Sequence, residues 1–316
     1  MIGLLCLMFS IFLTSKMSPA IEPREPTSES STWSKVLYDR ETCGLPGPNY
    51  VKNENDNDSE LLEEDDNDPM RHKVMGGIKA AEDELPWAVL LDFLKTKKLC
   101  GGTLISKKHV ITAAHCFTRP TDVNGNHCRK VPLEELKDDL RVYVGRTCLK
   151  VNTKYNCTKH DLGMRMFLKR AFYDIFFNTG CRGTHDIAIL ELTENVPKNI
   201  HHICLPHLHD ADELSDPLLR LSSFGWGADP ANNFIDVATP FLQKINLGSK
   251  MTDKECKKEV PSKQSDTFCT RELPDRNVCH VNTDVMHYTD LIDTWIGARK
   301  HSKNTAIDIG DVHHRH

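Results

Sequence analysis

His115 and Asp186 are the side chains in this sequence best placed to move a proton. His115 closes the stretch Leu99 to Cys116, LCGGTLISKKHVITAAHC, and Asp186 opens the apolar run DIAILEL that ends at Leu192. An imidazole that acts as a general base must be held within hydrogen-bond reach of the proton it takes. A carboxylate at a strand entrance can lie buried only if it is partnered, and a histidine N–H is a natural partner. Such a pair is a base with its orienter. To cleave anything it also needs a nucleophile and donors aimed at a developing oxyanion.

The elements that must position these groups read as strands. Thr103-Leu104-Ile105-Ser106 forms a first short strand, and Val110-Ile111-Thr112 a second that runs through two alanines into His115. Cys116 can tether that strand end through a cystine. Arg141 to Gly145 alternates polar and apolar residues like a half-buried strand. Similar runs separated by Gly, Pro and Asn turns predict an all-β fold. Near the end, apolar residues at 291, 292, 295 and 296 form one face of a helix.

At 316 residues the chain allows one or two domains. A net charge of -5 and a pI near 6.3 argue against a nucleic-acid binder. Twelve cysteines are many for a compartment that keeps thiols reduced. The apolar run Ile2 to Leu13 explains them, being of signal-peptide core length and too short to span a bilayer. Cleavage sites lie at Thr14-Ser15 or Pro19-Ala20, and a short membrane anchor is the alternative. No later stretch is apolar enough to span a membrane, so the expected product is secreted and oxidised. From Asn53 to Asp68 there are nine acidic residues and no basic ones, a composition that cannot offset the entropy of ordering. Cys43 stands upstream in a Gly/Pro-rich turn. Asn57 and Asn156 head N-glycosylation tripeptides.

These motifs together resemble the trypsin-like (chymotrypsin-fold) serine proteases of the S1 family. Arg71-His72-Lys73-Val74-Met75-Gly76-Gly77 resembles the family's zymogen activation site, and Pro86 to Leu91 its first long strand. Leu99 to Cys116 is similar to its catalytic-histidine region, and Thr184-His185-Asp186 to the site of its orienting aspartate. Ile203-Cys204-Leu205-Pro206 resembles the strand between the two barrels, and Ser223 to Gly227 the Gly-Trp-Gly strand that opens the second. Cys256 and Phe268-Cys269 resemble its small disulfide loop. The resemblance implies an all-β fold of two six-stranded-type antiparallel barrels with a C-terminal helix. It implies His115 as base, Asp186 as orienter, activation cleavage between Lys73 and Val74, and no cofactor or metal. It implies the disulfides Cys100–Cys116, Cys43–Cys204 and Cys256–Cys269. The partner would be a protein or peptide, as substrate or binding partner, and neither nucleic acid nor membrane.

The pattern breaks after Cys279. The family shows Gly-Asp-Ser-Gly-Gly there, whereas this chain reads His280-Val281-Asn282-Thr283-Asp284 and holds no Gly-Asp-Ser-Gly anywhere. An ungapped count puts Thr283 at the serine position, without the glycines that aim backbone N–H groups at an oxyanion, and it is not expected to substitute. Asn282 falls where an aspartate would pair with the new N-terminus, and Asn277 at the base of the specificity pocket. The second barrel is therefore expected to be incomplete. Cysteine arithmetic agrees. With Cys6 removed, eleven remain; Cys128, Cys148, Cys157 and Cys181 can pair in three ways, and Cys279 is left over. Two origins fit, an exon absent from this sequence or an evolved pseudoenzyme. The expected organisation is a signal peptide over 1–20, an acidic, largely disordered pro-segment over 21–73, a protease domain over 74–297 truncated after Cys279, and a polar tail over 298–316. The histidines at 201, 202, 207 and 209 with Asp210, and those at 313, 314 and 316, lack a repeating ligand spacing and read as surface crowding rather than metal sites.

Overall fold

Buried runs of β-branched and leucine residues build the larger sheet. The computed structural model describes residues 9–11, 41–52, 77–120, 128–181, 184–206, 221–227, 238–271, 282–283 and 285–297. In chain order its strands are β1 (Phe9–Ile11), β2 (Ile78–Lys79), β3 (Ala88–Phe93), β4 (Lys98–Leu104), β5 (His109–Thr112), β6 (Thr118–Pro120) and β7 (Cys128–Lys130). Next come β8 (Leu140–Val144), β9 (Met164–Met166), β10 (Leu168–Tyr173) and β11 (Ala188–Leu192). The last four are β12 (Leu221–Gly225), β13 (Gln243–Leu247), β14 (Thr267–Phe268) and β15 (Asn282–Thr283). Three α-helices occur among the described residues: α1 (Leu133–Asp139), α2 (Asp253–Glu259) and α3 (Thr289–Ile296).

A curled seven-stranded sheet, in the order β10-β11-β5-β4-β3-β8-β9, forms the first half. Every pairing in it is antiparallel. Leu90, Leu91, Leu104, Ile105, Ile111, Ile189 and Leu190 pack on its two faces and are fully buried. Close approach of β4 to β5 requires glycine. A Cβ on Gly102 would stand 2.8 Å from Val110 Cγ1 and 3.2 Å from the Ile111 carbonyl. The alternation read at Arg141 to Gly145 is β8, buried at every second residue. Two differences from the sequence reading stand out. The cysteine-rich region holds helix α1 as well as loops. Ile203 to Pro206 is an extended connection with no ladder, joined to β4 through the Ile203 N–H and the Leu104 carbonyl.

The second half is smaller. One four-stranded sheet runs β1-β12-β13-β2, and β14 pairs with β15. Its outer strand β1 comes from the N-terminal apolar run, whose other residues lie outside the described ones. Helix α3 buries Ile292 and Ile296, stacks Trp295 on Phe172, and ends at Gly297 in a left-handed conformation (φ 74°). Among the described residues no helix is long and apolar enough to cross a membrane.

Two measurements bear on the first half. Gly102→Ala should destabilise the protein by about 1–3 kcal/mol through overpacking, read by chemical denaturation. His109 lies buried opposite Glu191, with Nδ1 2.8 Å from Ser106 Oγ; burial, helped by Lys108, pushes its pKa down to about 4. Between that value and about 6.5 the unfolded chain binds a proton that the native one does not. The contribution is therefore fully present above about pH 6.5 and is lost as pH falls towards 4. His109→Asn should remove that slope, worth at most about 3 kcal/mol, from a stability-versus-pH series.

Candidate active site

The register of two strands brings the proton-handling groups together. β11 pairs with β5 so that Ala188 is opposite Thr112. Asp186 precedes Ala188 by two residues and Ala114 follows Thr112 by two, which sets Asp186 beside His115. The chain at His115 is a single 3₁₀ turn, Ala114–Phe117. Cys116 is bonded to Cys100 of β4, and the Thr118 hydroxyl donates to the His115 carbonyl at 2.8 Å. Lys98 Nζ donates to the same carbonyl at 3.0 Å. Burial lowers the pKa of that lysine, and the charge of Asp186 opposes the shift.

The Asp186 carboxylate holds His115 twice. Oδ1 accepts the main-chain N–H at 2.8 Å, and Oδ2 lies 2.7 Å from Nδ1. A carboxylate only accepts, so Nδ1 carries the proton and Nε2 presents its lone pair. Nε2 is buried and has no hydrogen-bond partner among the described residues. The sequence reading put the Asp186 carboxylate inside the protein. The side chain is in fact 29% exposed, because its two acceptor oxygens face His115 and the rest of the group stays open.

The sequence reading missed what holds Asp186 from behind. His185 has a left-handed backbone (φ 69°), uncommon for a residue with a Cβ. Its N–H donates to Asp266 Oδ2 at 2.8 Å and lies 3.1 Å from Tyr288 Oη. Its ring Nδ1 is 2.5 Å from Asp174 Oδ2, and the Tyr288 hydroxyl donates to Asp266. Burial first, then the Asp266 hydrogen bond and charge, raise the Tyr288 pKa. His185 beside Asp186 was a signal in plain view. Asp266 and Tyr288 gave none, because their partner lies far away in sequence.

The other candidate residues fall as follows. Thr283 and Asn282 form β15, opposite Thr267 and Phe268 respectively. The described cysteines form Cys43–Cys204, Cys100–Cys116, Cys256–Cys269, Cys128–Cys181 and Cys148–Cys157. The last two settle on one of the three pairings left open. The turn at Cys43 is docked on the body, with the Gly44 N–H donating to the His202 carbonyl and the Gly47 N–H to that of Asp83. His201 and His202 donate to main-chain carbonyls. Asn156 is exposed, in a left-handed turn. Sulfur atoms of Cys100 and Cys116 lie near a His115 ring nitrogen, but they are joined to each other and offer no thiolate to a metal. Asn57, Lys73, Val74, Asn277, Cys279, His207, His209, Asp210 and the C-terminal histidines lie outside the described residues.

A histidine and an aspartate paired at the ends of two neighbouring antiparallel strands define the class. The family model described as Trypsin matches residues 74–283. The chain belongs to the trypsin family of serine proteases. It is 33% identical over 216 residues to "Trypsin-like protease try-5" of Caenorhabditis elegans, covering 61% of this chain and 65% of that relative. It is 26% identical over 226 residues to "CLIP domain-containing serine protease B8" of Anopheles gambiae, covering 68% and 48%. Against "Serine protease grass" of Drosophila melanogaster it is 29% identical over 179 residues, covering 53% and 43%. The chain thus spans less than two thirds of the length of these relatives.

Replacing the carboxylate tests the site. In Asp186→Asn the amide can turn an N–H towards Nδ1, so the Nε2–H tautomer of His115 gains population. The ¹⁵N shifts of the His115 ring should report that exchange, with the wild-type chain in the Nδ1–H form.

Proposed function

We propose that this chain is a secreted member of the trypsin family that keeps a general base and its orienter but does not hydrolyse peptides. His115 is the base and Asp186 the orienting residue. One observation carries the reading: Asp186 fixes both N–H groups of His115 and leaves Nε2 facing no hydroxyl among the described residues. A serine in that place would give up its proton to Nε2 as its oxygen attacked a carbonyl. Here the segment that would supply the serine, the flanking glycines and the oxyanion donors does not follow Cys279. Members of such a triad act as a unit, so losing the nucleophile leaves only what binding and the oxyanion hole contribute. The Ile2 to Leu13 segment directs export and is removed after Ser15 or Ala20. Cleavage after Lys73 would free Val74, but the neutral Asn282 amide cannot form an ion pair with a new ammonium. The protein then serves as a binding or regulatory partner of other proteins or peptides.

A second reading has specific support from the cysteine count. With Cys6 removed in the leader, and the pairs implied by the family and the four insert cysteines set aside, Cys279 is the one cysteine left over in the count. In this reading the locus encodes an active endopeptidase, and the present chain lacks an internal segment that carries both the serine and that cysteine.

The purified chain should remain unlabelled by an active-site serine phosphonate and should leave peptide substrates intact. Labelling would overturn the first reading. Sequencing transcripts across Cys279 to Met286 decides the second, since an in-frame segment with Gly-Asp-Ser-Gly-Gly would establish it and uniform absence would remove it.

A further inference from the structure

The small sheet of the second half takes its outer strand from an unexpected place. β12 pairs over five residues with β13 on one side and with three-residue β1 on the other. Phe9 is opposite Phe224, Ser10 opposite Ser223, and Ile11 opposite Ser222. β1 also lies against β15 and β4, so its seat is enclosed on more than one side. With β1 and β13 both paired to it, β12 is an interior strand. Leu221, Ser223 and Phe224 are all buried, and Ser223 completely.

Open strand edges are normally short, charged, bulged or marked by proline, because bare N–H and C=O groups recruit another strand. β12 reads Leu-Ser-Ser-Phe-Gly and has none of the charge or proline that blunts an edge. What covers it is β1, and β1 belongs to the segment assigned above to export. Removing residues up to Ser15 or Ala20 takes β1 away and leaves that edge of β12 without a paired strand among the described residues.

We propose that in the processed chain the outer edge of β12 is a strand-acceptor site for an extended apolar peptide of a partner protein. The incoming strand runs antiparallel to β12 in the register that β1 displays. Main-chain hydrogen bonds supply affinity in such additions, and alternate side chains supply selectivity. The template is Phe-Ser-Ile, apolar at the positions opposite Phe224 and Ser222 and small opposite the buried Ser223. The enclosure by β15 and β4 favours a single strand over a second copy of this chain, whose own β12 lies in the same kind of recess. The inference rests on the non-catalytic reading, to which it gives a binding site.

The test uses the secreted chain beginning after Ala20 and a synthetic peptide of residues 7–15 as probe. Hydrogen exchange of the Leu221 to Gly225 amides should slow at least tenfold when the peptide is added. Peptides carrying Ser10→Pro, or Phe9→Pro with Ile11→Pro, remove alternate donors, and at least one of the two should give no protection. Three results overturn the proposal: no protection by the peptide, an edge already protected in the monomer, or protection that appears only with dimer formation. If the processed chain fails to fold, the full-length chain with Ser10→Cys and Ser223→Cys takes its place. A disulfide between those positions upholds the register, and its absence refutes it. Phosphonate labelling of the same sample separates the two readings. A labelled chain overturns the non-catalytic reading, whereas an unlabelled one that ignores the peptide overturns only the acceptor site.

Discussion

The grip of one carboxylate on both N–H groups of His115 is the constraint on which the rest of the site depends. It exists because β5 and β11 pair in one register and no other. A slip by a single residue turns every side chain of a strand to the opposite face. Asp186 would then point away from His115. Ile189 and Leu190 face opposite sides of the sheet and both are buried, so β11 is packed on both faces beside the dyad. The neighbourhood of His115 adds further restraints in short range, through the cystine to β4, the Thr118 hydroxyl and the Lys98 ammonium.

The two halves of the molecule meet at His185. Asp174 belongs to the first half, Asp266 to the disulfide loop Cys256–Cys269, and Tyr288 to the turn that enters α3. All three converge on the residue that precedes Asp186. The second half thus contributes to holding the aspartate, through buried polar groups that are costly to leave unpaired. A left-handed backbone at His185 persists because these bonds over-determine it.

Most of the first half was legible in the sequence because its signals are local. Alternation marked β8, and the AAHC and DIAIL runs marked the ends of β5 and β11 with the residues they present. Helix α3 was legible from its apolar face. Helix α1 and the Asp266–Tyr288 contacts were not, the first because it sits among polar insert residues and the second because the partners are distant in sequence. The strand status of Ile203 to Pro206 also misled, since an apolar run can be extended and buried without entering a ladder. Pairing of Phe9 to Ile11 with β12 lay beyond any local pattern. A run of apolar residues carries no mark of which edge it will find.

Retention of a histidine and an aspartate in this geometry is weak evidence for retained catalysis. Oδ1 of Asp186 bonds the main chain of His115, not its ring, and that bond serves the fold. Removing the carboxylate would strand a partly buried N–H at a cost of about 1–3 kcal/mol, whether or not a serine stood opposite Nε2. Asp186 is thus restrained by packing and backbone hydrogen bonding as much as by chemistry. The nucleophile is restrained by chemistry and by the oxyanion geometry around it, with little of the first sheet depending on it. A lineage or a transcript that loses the serine segment therefore keeps the histidine and the aspartate in place. The dyad identifies the family to which the chain belongs, and the segment after Cys279 decides whether it is an enzyme.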